Sequence, residues 1–432
     1  MTDLVAEREI LLCVARRVMD DSVKARLRQL VQTPVDWESL CQDSFEHGLQ
    51  PLLYYHLNAV CGDLVPERIL AKLKQEFLAN SQCNLYLMRE LIRTLDLLRD
   101  NDIQALVFKG PVLASLVYGD LALRQAGDLD VLIEKEDFPL AKQLLESRGY
   151  VMEPQLNGSQ QSSHLRFHCE IQFVHHEQVS VVDLHWGLAP RTFPFSLDTR
   201  ELLERSMEVE FAGHRVRTFS WEDLLLYLCM NGAKDNWSDL ESVAVVAEVL
   251  RLSASSDANQ NRSSDDLPAS EAGASLNWAA LLEKAQEAGG RKMLSLGLLL
   301  ARNMFGTEMP KGVMEQMSDK LQFVATAIEQ KLLRGVRKPP TNIETFRMNL
   351  QCMDRKRDAV RALLRSVLVP TISDWKTITL PDALYPLYYF LRPMRLLGKY
   401  SMSERFAGQR TAAFNTEPFA VANGSRDSSG RK

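Results

Sequence analysis

Cysteine is sparse and unpatterned in this chain. Seven occur in 432 residues, at Cys13, Cys41, Cys61, Cys83, Cys169, Cys229 and Cys352. No CxxC pair occurs among them, which excludes a thiolate zinc site and a disulfide framework and fits a reducing compartment. Surplus positive charge is missing too. The 51 Lys and Arg residues stand against 56 Asp and Glu, a formal charge of -5, so no overall field draws the chain to nucleic acid or anionic lipid. A long apolar run is the third absence: no stretch approaches the roughly 20 residues that span a bilayer. The first residues, "MTDLVAEREILLCVARRVMDD", are acidic where a signal peptide needs a basic start, so the chain reads as cytoplasmic. There is no internal repeat.

What is present divides by period. Residues 1–102 read as a helical region. Asp36 is placed to cap a helix with Trp37, Leu40, Cys41 and Phe45 on one face, and residues 84–100 carry Leu87, Met88, Leu91, Ile92, Leu95 and Leu98 at helical spacing. From residue 103 to 219 short apolar runs alternate with turns, the pattern of an α/β unit. Its expected strands are "QALVF", "DLDVLI", "RFHCEIQFV" and "VSVVDLHW", with helices from Pro111 to about Tyr118 and from about Phe138, capped by Asp137, to Ser147. A hairpin, "MEVEFAGHRVRTF", should turn at Ala212-Gly213. Residues 220–251 and 277–411 read as a second helical region, opened by a cap at Ser220. Residues 252–276 and 412–432 are poor in large apolar groups, and are expected to form a disordered insert and a flexible tail.

The stretch "FKGPVLASLVYGDLALRQAGDLDVLIEK" carries the chemistry. Strand alternation puts Asp128 and Asp130 on one face and Leu129, Val131 and Ile133 on the other. Two carboxylates so close are costly unless a cation or proton lies between them, which makes the pair a candidate site for a divalent metal with hard oxygen ligands. Alone, such a pair is weak evidence; Glu208 and Glu210 have the same spacing and read as a solvated strand edge. Context strengthens it. Lys109-Gly110 leads from a strand into a helix with Pro111 at its start, leaving free backbone N–H groups beside a lysine, a ready site for phosphate. Asp183, on the strand face of Val181 and His185, offers a third carboxylate. Three converging acids are what a two-metal phosphoryl or nucleotidyl transfer site requires.

With these residues in view, the stretch from Phe108 to Tyr150 and the later "VDLHW" resemble the bacterial nucleotidyltransferase family with a lysine-glycine and DxD signature, within the DNA polymerase beta-like nucleotidyltransferase superfamily. The resemblance is strongest over about 104–186 and weaker in the flanking helices. It implies an α+β fold, a small mixed sheet with helices, flanked by helical regions at both ends. It also implies Lys109 and Gly110 at the triphosphate turn, Arg124 beside the site, Asp128 and Asp130 as ligands of both Mg²⁺ (or Mn²⁺) ions, Asp183 as the third acid, and an NTP such as ATP as donor. The sequence departs from the family in having Gly110-Pro111 where Gly-Ser or Gly-Gly is usual, and Asn231 near a common histidine position.

Several assignments stay open at this stage. His185 could contact substrate or be a packed, hydrogen-bonded core residue; Arg124 could close on a phosphate or pair with an acid of its loop. His164, His168, His175 and His176 lack ligand spacing and read as strand-edge and loop residues. The C-terminal "YYFLRPMRLLGKY", broken by Pro386 and Pro393, reads as a packed helix with cations reaching to solvent rather than a membrane-surface helix. With no basic stripe near the site, a small-molecule or protein hydroxyl is expected as acceptor in preference to nucleic acid. The rivals are a nucleotide-binding or scaffold protein that keeps the fold without turnover, and an RNA-modifying transferase whose basic surface is assembled by folding.

Overall fold

The computed structural model describes residues 5–177, 180–258, 275–315, 319–334, 348 and 350–405. Five helices come first: α1 (Val5–Val14), α2 (Asp21–Val31), α3 (Trp37–Glu46), α4 (Gln50–Cys61) and the 33-residue α5 (Glu67–Arg99). Asp36 caps α3 by accepting from the Ser39 N–H, as its position predicts, and Leu40 and Cys41 are buried. Phe45 of the expected face is instead 50% exposed; Ser44 is the residue turned inward.

The sheet follows. Its elements are β1 (Ala105–Val107), α6 (Gly110–Tyr118), β2 (Leu129–Ile133), α7 (Phe138–Ser147), β3 (Val151–Glu153), α8 (Gly158–Phe167), β4 (Glu170–His175) and β5 (Ser180–His185). The strand order is β1-β2-β5-β4-β3, with β2 and β5 parallel and the other pairs antiparallel. This mixed five-stranded sheet in a mostly helical α+β chain is the expected class. The strands of Asp130 and Asp183 are neighbours, and the two aspartates are register partners.

Three local expectations need correction. Phe167 does not belong to a strand: the Asn157–Gln160 capping box starts α8, which runs to Phe167, and β4 begins only at Glu170. His164 is therefore a buried helical residue, ring-stacked on His168 at 4.2 Å, and His175 is a buried residue within β4 rather than an edge; His176 is exposed. Asp137 makes no side-chain cap to α7, because a 3-10 turn over Lys135–Asp137 feeds the helix directly.

After α9 (Thr199–Glu204) the hairpin β6 (Met207–Phe211) and β7 (His214–Thr218) turns at Ala212 (φ 52°) and Gly213 (φ 80°), both left-handed, as a tight two-residue turn demands. Glu208 and Glu210 are exposed on β6, the bland reading of their spacing. Ser220 then caps α10 (Trp221–Lys234) by accepting from the Asp223 N–H. Helix α11 (Leu240–Ala258) runs past residue 251, with Leu252 and Ser253 buried, so the start of the expected insert is helical; 259–274 lies outside the described residues. At the far end Leu276 is also buried.

The remaining helices are α12 (Trp278–Glu287), α13 (Arg291–Phe305), α14 (Lys311–Met314), α15 (Asp319–Leu333), α16 (Lys356–Leu368), α17 (Ile372–Thr377) and α18 (Tyr388–Arg405). Arg392 and Arg395 of α18 turn inward onto buried Asp374 of α17 instead of reaching to solvent, while Phe390, Met394 and Leu397 are exposed. The expected tail from 412 lies outside the described residues. No described helix is long and apolar enough to cross a membrane.

Candidate active site

One face of the sheet is apolar and closed. Met152, Phe173, Val182 and Leu184 are at most 1% exposed there. The other face carries the acids. Asp130 and Asp183 stand side by side across β2 and β5, and Asp128 lies one step before β2, two residues from Asp130. Asp130 is 2% exposed and Asp183 9%. His185, two residues beyond Asp183 and so on the same face, brings Nε2 to 3.0 Å from Asp130 Oδ1. One ligand-type atom from each of Asp130, Asp183 and His185 lies within 4.8 Å of the others.

Lys109 ends the connection from β1. Its Nζ donates to the same Asp130 Oδ1 at 3.3 Å and lies 5.8 Å from the centre of the Tyr227 ring. Gly110 follows with φ +57°, and a Cβ there would meet the Asp128 carbonyl oxygen at 3.1 Å. This turn therefore needs glycine on both conformational and steric grounds. Gly110 is itself the first residue of α6, with Pro111 second. Phe108, Phe219 and Tyr227 stack together beneath Lys109 and against His185, with ring centres 4.9 to 5.6 Å apart. This aromatic block walls the β1-β2 side of the site.

Arg124 is held twice. Asn84 of α5 donates to its carbonyl at 2.8 Å and Asn80 at 3.2 Å, pinning the loop ahead of Asp128. Its guanidinium Nε donates at 2.7 Å to Glu241, at the start of α11. The expected alternatives were a phosphate or an acid of the same loop; the partner is an acid 117 residues away.

The electrostatics of the acids differ sharply. Burial and the charges of Asp128 and Asp130 push the Asp183 carboxyl up to about 7. Burial and neighbouring Asp130 likewise raise Asp128. Desolvation works the same way at Asp130, but Lys109 and the hydrogen bond from His185 outweigh it and bring its carboxyl down to about 2. Lys109, also desolvated, is held above an ordinary lysine by Tyr227 and Asp130. Asp130 Oδ2 and Asp183 Oδ1 are buried acceptors with no hydrogen-bond donor among the described residues. Buried carboxylate oxygens are normally satisfied, so two such orphans together mark a place for a ligand. The carboxylate oxygens of Asp130 and Asp183 suit a hard divalent cation, while His185 Nε2, the third atom of the cluster, is engaged with Asp130 Oδ1.

Sequence reasoning thus named residues that folding brings together: Lys109, Gly110, Asp128, Asp130, Asp183 and His185. His185 is the packed, hydrogen-bonded residue of its second reading, buried and bonded to Asp130 Oδ1. Three neighbours went unnoticed. Glu170 on β4 lies 3.2 Å from His185 Nδ1 and leaves 43% of its side chain exposed. It could have been found from the alternation of "EIQFV" once the strand was begun at Glu170. Tyr227 and Glu241 arrive from later helices and carry no local signal.

The small mixed sheet in a mostly helical chain is the fold class of a nucleotidyltransferase, and comparison with known families agrees. Residues 33–306 match the family described as uncharacterised nucleotidyltransferase, and the chain belongs to that family. No match was found among curated proteins or among solved structures.

Proposed function

We propose that the protein transfers a nucleoside monophosphate from an NTP to a hydroxyl of a small molecule or protein, releasing pyrophosphate, in the manner of the DNA polymerase beta-like superfamily. The observation that carries this reading is the pair of buried, donor-less oxygens on Asp130 and Asp183 beside the Lys109-Gly110 turn. Asp128, Asp130 and Asp183 would hold Mg²⁺ or Mn²⁺, which supplies charge neutralisation at the phosphates and lowers the pKa of the attacking hydroxyl. The chain's own groups do the rest. Lys109, about a quarter exposed, and the N–H groups at the start of α6 bind the triphosphate. Arg124 adds positive charge at the rim while Glu241 fixes its position. The acceptor oxygen bonds to the α-phosphorus in line with the bond to the β-phosphate oxygen, which breaks with its electron pair on pyrophosphate. The hydroxyl proton goes to Asp183, and His185 holds Asp130 in place.

The test is incubation of the full chain with labelled NTPs, Mg²⁺ or Mn²⁺, and host metabolite and protein extracts. Label should move to an acceptor with release of pyrophosphate, and Asp130→Asn should stop it. Nucleotide binding with no labelled product from any fraction would point instead to a silent nucleotide-binding protein. Label appearing only in RNA would favour the RNA-modifying alternative.

A further inference from the structure

His185 meets the acids with one ring nitrogen only. Nε2 lies 3.0 Å from Asp130 Oδ1, while Nδ1 is buried and has no hydrogen-bond partner among the described residues. Phe108 packs edge-on against the ring at 5.2 Å. Two residues stand on the Nδ1 side. Glu170, the register partner of His185, brings Oε2 to 3.2 Å, and the thiol of Cys169, one residue earlier, donates weakly to the same Oε2 at 3.8 Å. One ligand-type atom from each of the three lies within 4.8 Å of the others. The strand ends that carry them are tied together, with the Trp186 N–H donating to the Cys169 carbonyl at 2.8 Å.

A hydrogen bond does not account for the Nδ1 contact. Asp130, with its carboxyl down at about 2, is an ionised acceptor, so Nε2 is the donor and Nδ1 of the neutral ring is a bare lone pair beside a carboxylate oxygen. A cation is what brings nitrogen, oxygen and sulfur donors together in this way. In a tetrahedral zinc site, bonds of about 2.05 Å to N, 2.1 Å to O and 2.3 Å to S put N and O about 3.4 Å apart and S and O about 3.6 Å apart. The separations here, 3.2 and 3.8 Å, each agree to about 0.2 Å. Thiolate and imidazole suit zinc-type ions and not Mg²⁺, so this cluster differs in kind from the carboxylates of the acid site. Cys169 and His185 are 4% and 3% exposed, whereas Glu170 leaves 43% of its side chain in solvent, which gives an ion its way in. The lack of CxxC pairs excludes a thiolate zinc site built on one segment; this cluster is assembled across two strands.

We propose that Cys169, Glu170 and His185 form a second metal site, for a zinc-type divalent cation, with water in the fourth position. Thiolate and carboxylate balance the charge of the ion, and the imidazole stays neutral. In the empty site the thiol keeps its proton, because burial and then the Glu170 charge push it up to about 12 against the pull of Lys234. Metal binding releases that proton to solvent. A cation on Nδ1 fixes the other ring nitrogen as N–H, which must then donate to Asp130 Oδ1 and hold that carboxylate in orientation. This positioning of Asp130 rests on the transferase reading; the binding of the ion does not.

The test is titration of the full chain, stripped of metal by a chelator, with Co²⁺. A cobalt–thiolate bond gives a near-ultraviolet charge-transfer band, and tetrahedral cobalt absorbs strongly in the visible. About one equivalent should bind with both signals, Zn²⁺ should displace it, and Mg²⁺ in large excess should not. Cys169→Ser should lose the charge-transfer band, and Cys83→Ser, at an exposed free cysteine, should keep it. Glu170→Gln should weaken Co²⁺ binding about ten-fold or more. No thiolate band in the parent, a band that survives Cys169→Ser, displacement by Mg²⁺, or unchanged affinity in Glu170→Gln would overturn the site. Binding of Mg²⁺ and NTP is measured separately on the zinc-loaded chain: a thiolate band without NTP binding leaves the metal site standing and fails the transferase reading, and NTP binding without the band does the reverse.

Discussion

Two buried aspartate centres in this protein have opposite fates. Asp374, 4% exposed between α17 and α18, is fully satisfied. Its Oδ1 accepts from Arg395 at 2.6 Å, and its Oδ2 from the Thr371 N–H and hydroxyl at 2.8 Å and from Arg392 at 2.5 Å. Desolvation alone would raise its pKa, yet the Thr371 and Arg392 hydrogen bonds bring it below the usual value. Asp183, 9% exposed, has an oxygen with no donor among the described residues and faces two other acids. A carboxylate ringed by guanidinium groups fastens helices together; one left unfinished among like charges is kept at a cost to the fold. The first needs no ligand. The second is where the transferase reading puts a cation.

Breaking the comparison at the functional end should give the largest effect. Asp128→Asn or Asp130→Asn should lower nucleotidyl transfer by about 10³-fold or more, because charge stabilisation at the transferring phosphate is lost. Steady-state assays with whichever acceptor proves active measure this. Asp128→Asn should change stability little, whereas Asp130→Asn also removes the carboxylate that Lys109 and His185 share and should destabilise the chain, as a broken buried pair does.

At the structural end the sign reverses. Asp374→Asn leaves Arg392 and Arg395 buried against a neutral partner and should destabilise the chain by about 3–5 kcal/mol, as for other broken buried pairs. Asp183→Asn, without metal, should stabilise it by about 2–4 kcal/mol at pH 8, the worth of a carboxyl held some three pH units too high. Denaturant melts of the two variants beside the parent test the contrast directly.

The pH dependence sharpens it. Because the folded-state pKa of Asp183, about 7, exceeds its ordinary value of 3.8, the folded state binds the proton more tightly. The stability this confers is complete below about pH 4 and disappears as pH rises through 7. The gain from Asp183→Asn should therefore be near zero at pH 4 and grow to its full size above pH 7. A gain that is constant with pH would mean the Asp183 carboxyl titrates normally.

A smaller effect is expected at the Arg124–Glu241 pair, whose side chains are 16% and 15% exposed. Glu241→Gln should cost about 1–3 kcal/mol by leaving a guanidinium without its anion. It should also weaken NTP affinity if Arg124 must be held at the rim. Equal NTP affinity in parent and variant would confine Arg124 to a structural part.

The sequence shows the chemistry of the site more fully than its setting, for a physical reason. Asp130, Asp183 and His185 lie on strands whose two-residue period fixes the facing of each side chain, and Asp128 stands one step before β2, so their convergence follows from strand adjacency. Lys109-Gly110 is equally readable because a left-handed residue at the start of a helix demands glycine. Contacts made between distant elements have no such local mark. Nothing near Arg124 points to Glu241, and nothing near Lys109 points to Tyr227. Where the sequence misled, a local signal was overlooked or overruled. The Asn157–Gln160 box announced α8, whereas Asp137 lost its expected cap because a tighter turn already led into α7. Leu252 and Ser253 extended α11 into a stretch whose composition suggested disorder, because packing, not composition, decides where a helix stops.

The central claim is that Asp128, Asp130 and Asp183 hold a divalent cation together with an NTP. The most direct measurement is the thermal midpoint of the full chain at pH 7.5 with and without Mg²⁺ plus NTP, in the parent and in the Asp128→Asn/Asp130→Asn double variant. At a hundred times Kd the ligands should add about 2.7 kcal/mol by mass action, a rise of a few degrees, and the double variant should show none of the Mg²⁺-dependent part. The same Mg²⁺-dependent rise in both proteins would contradict the account.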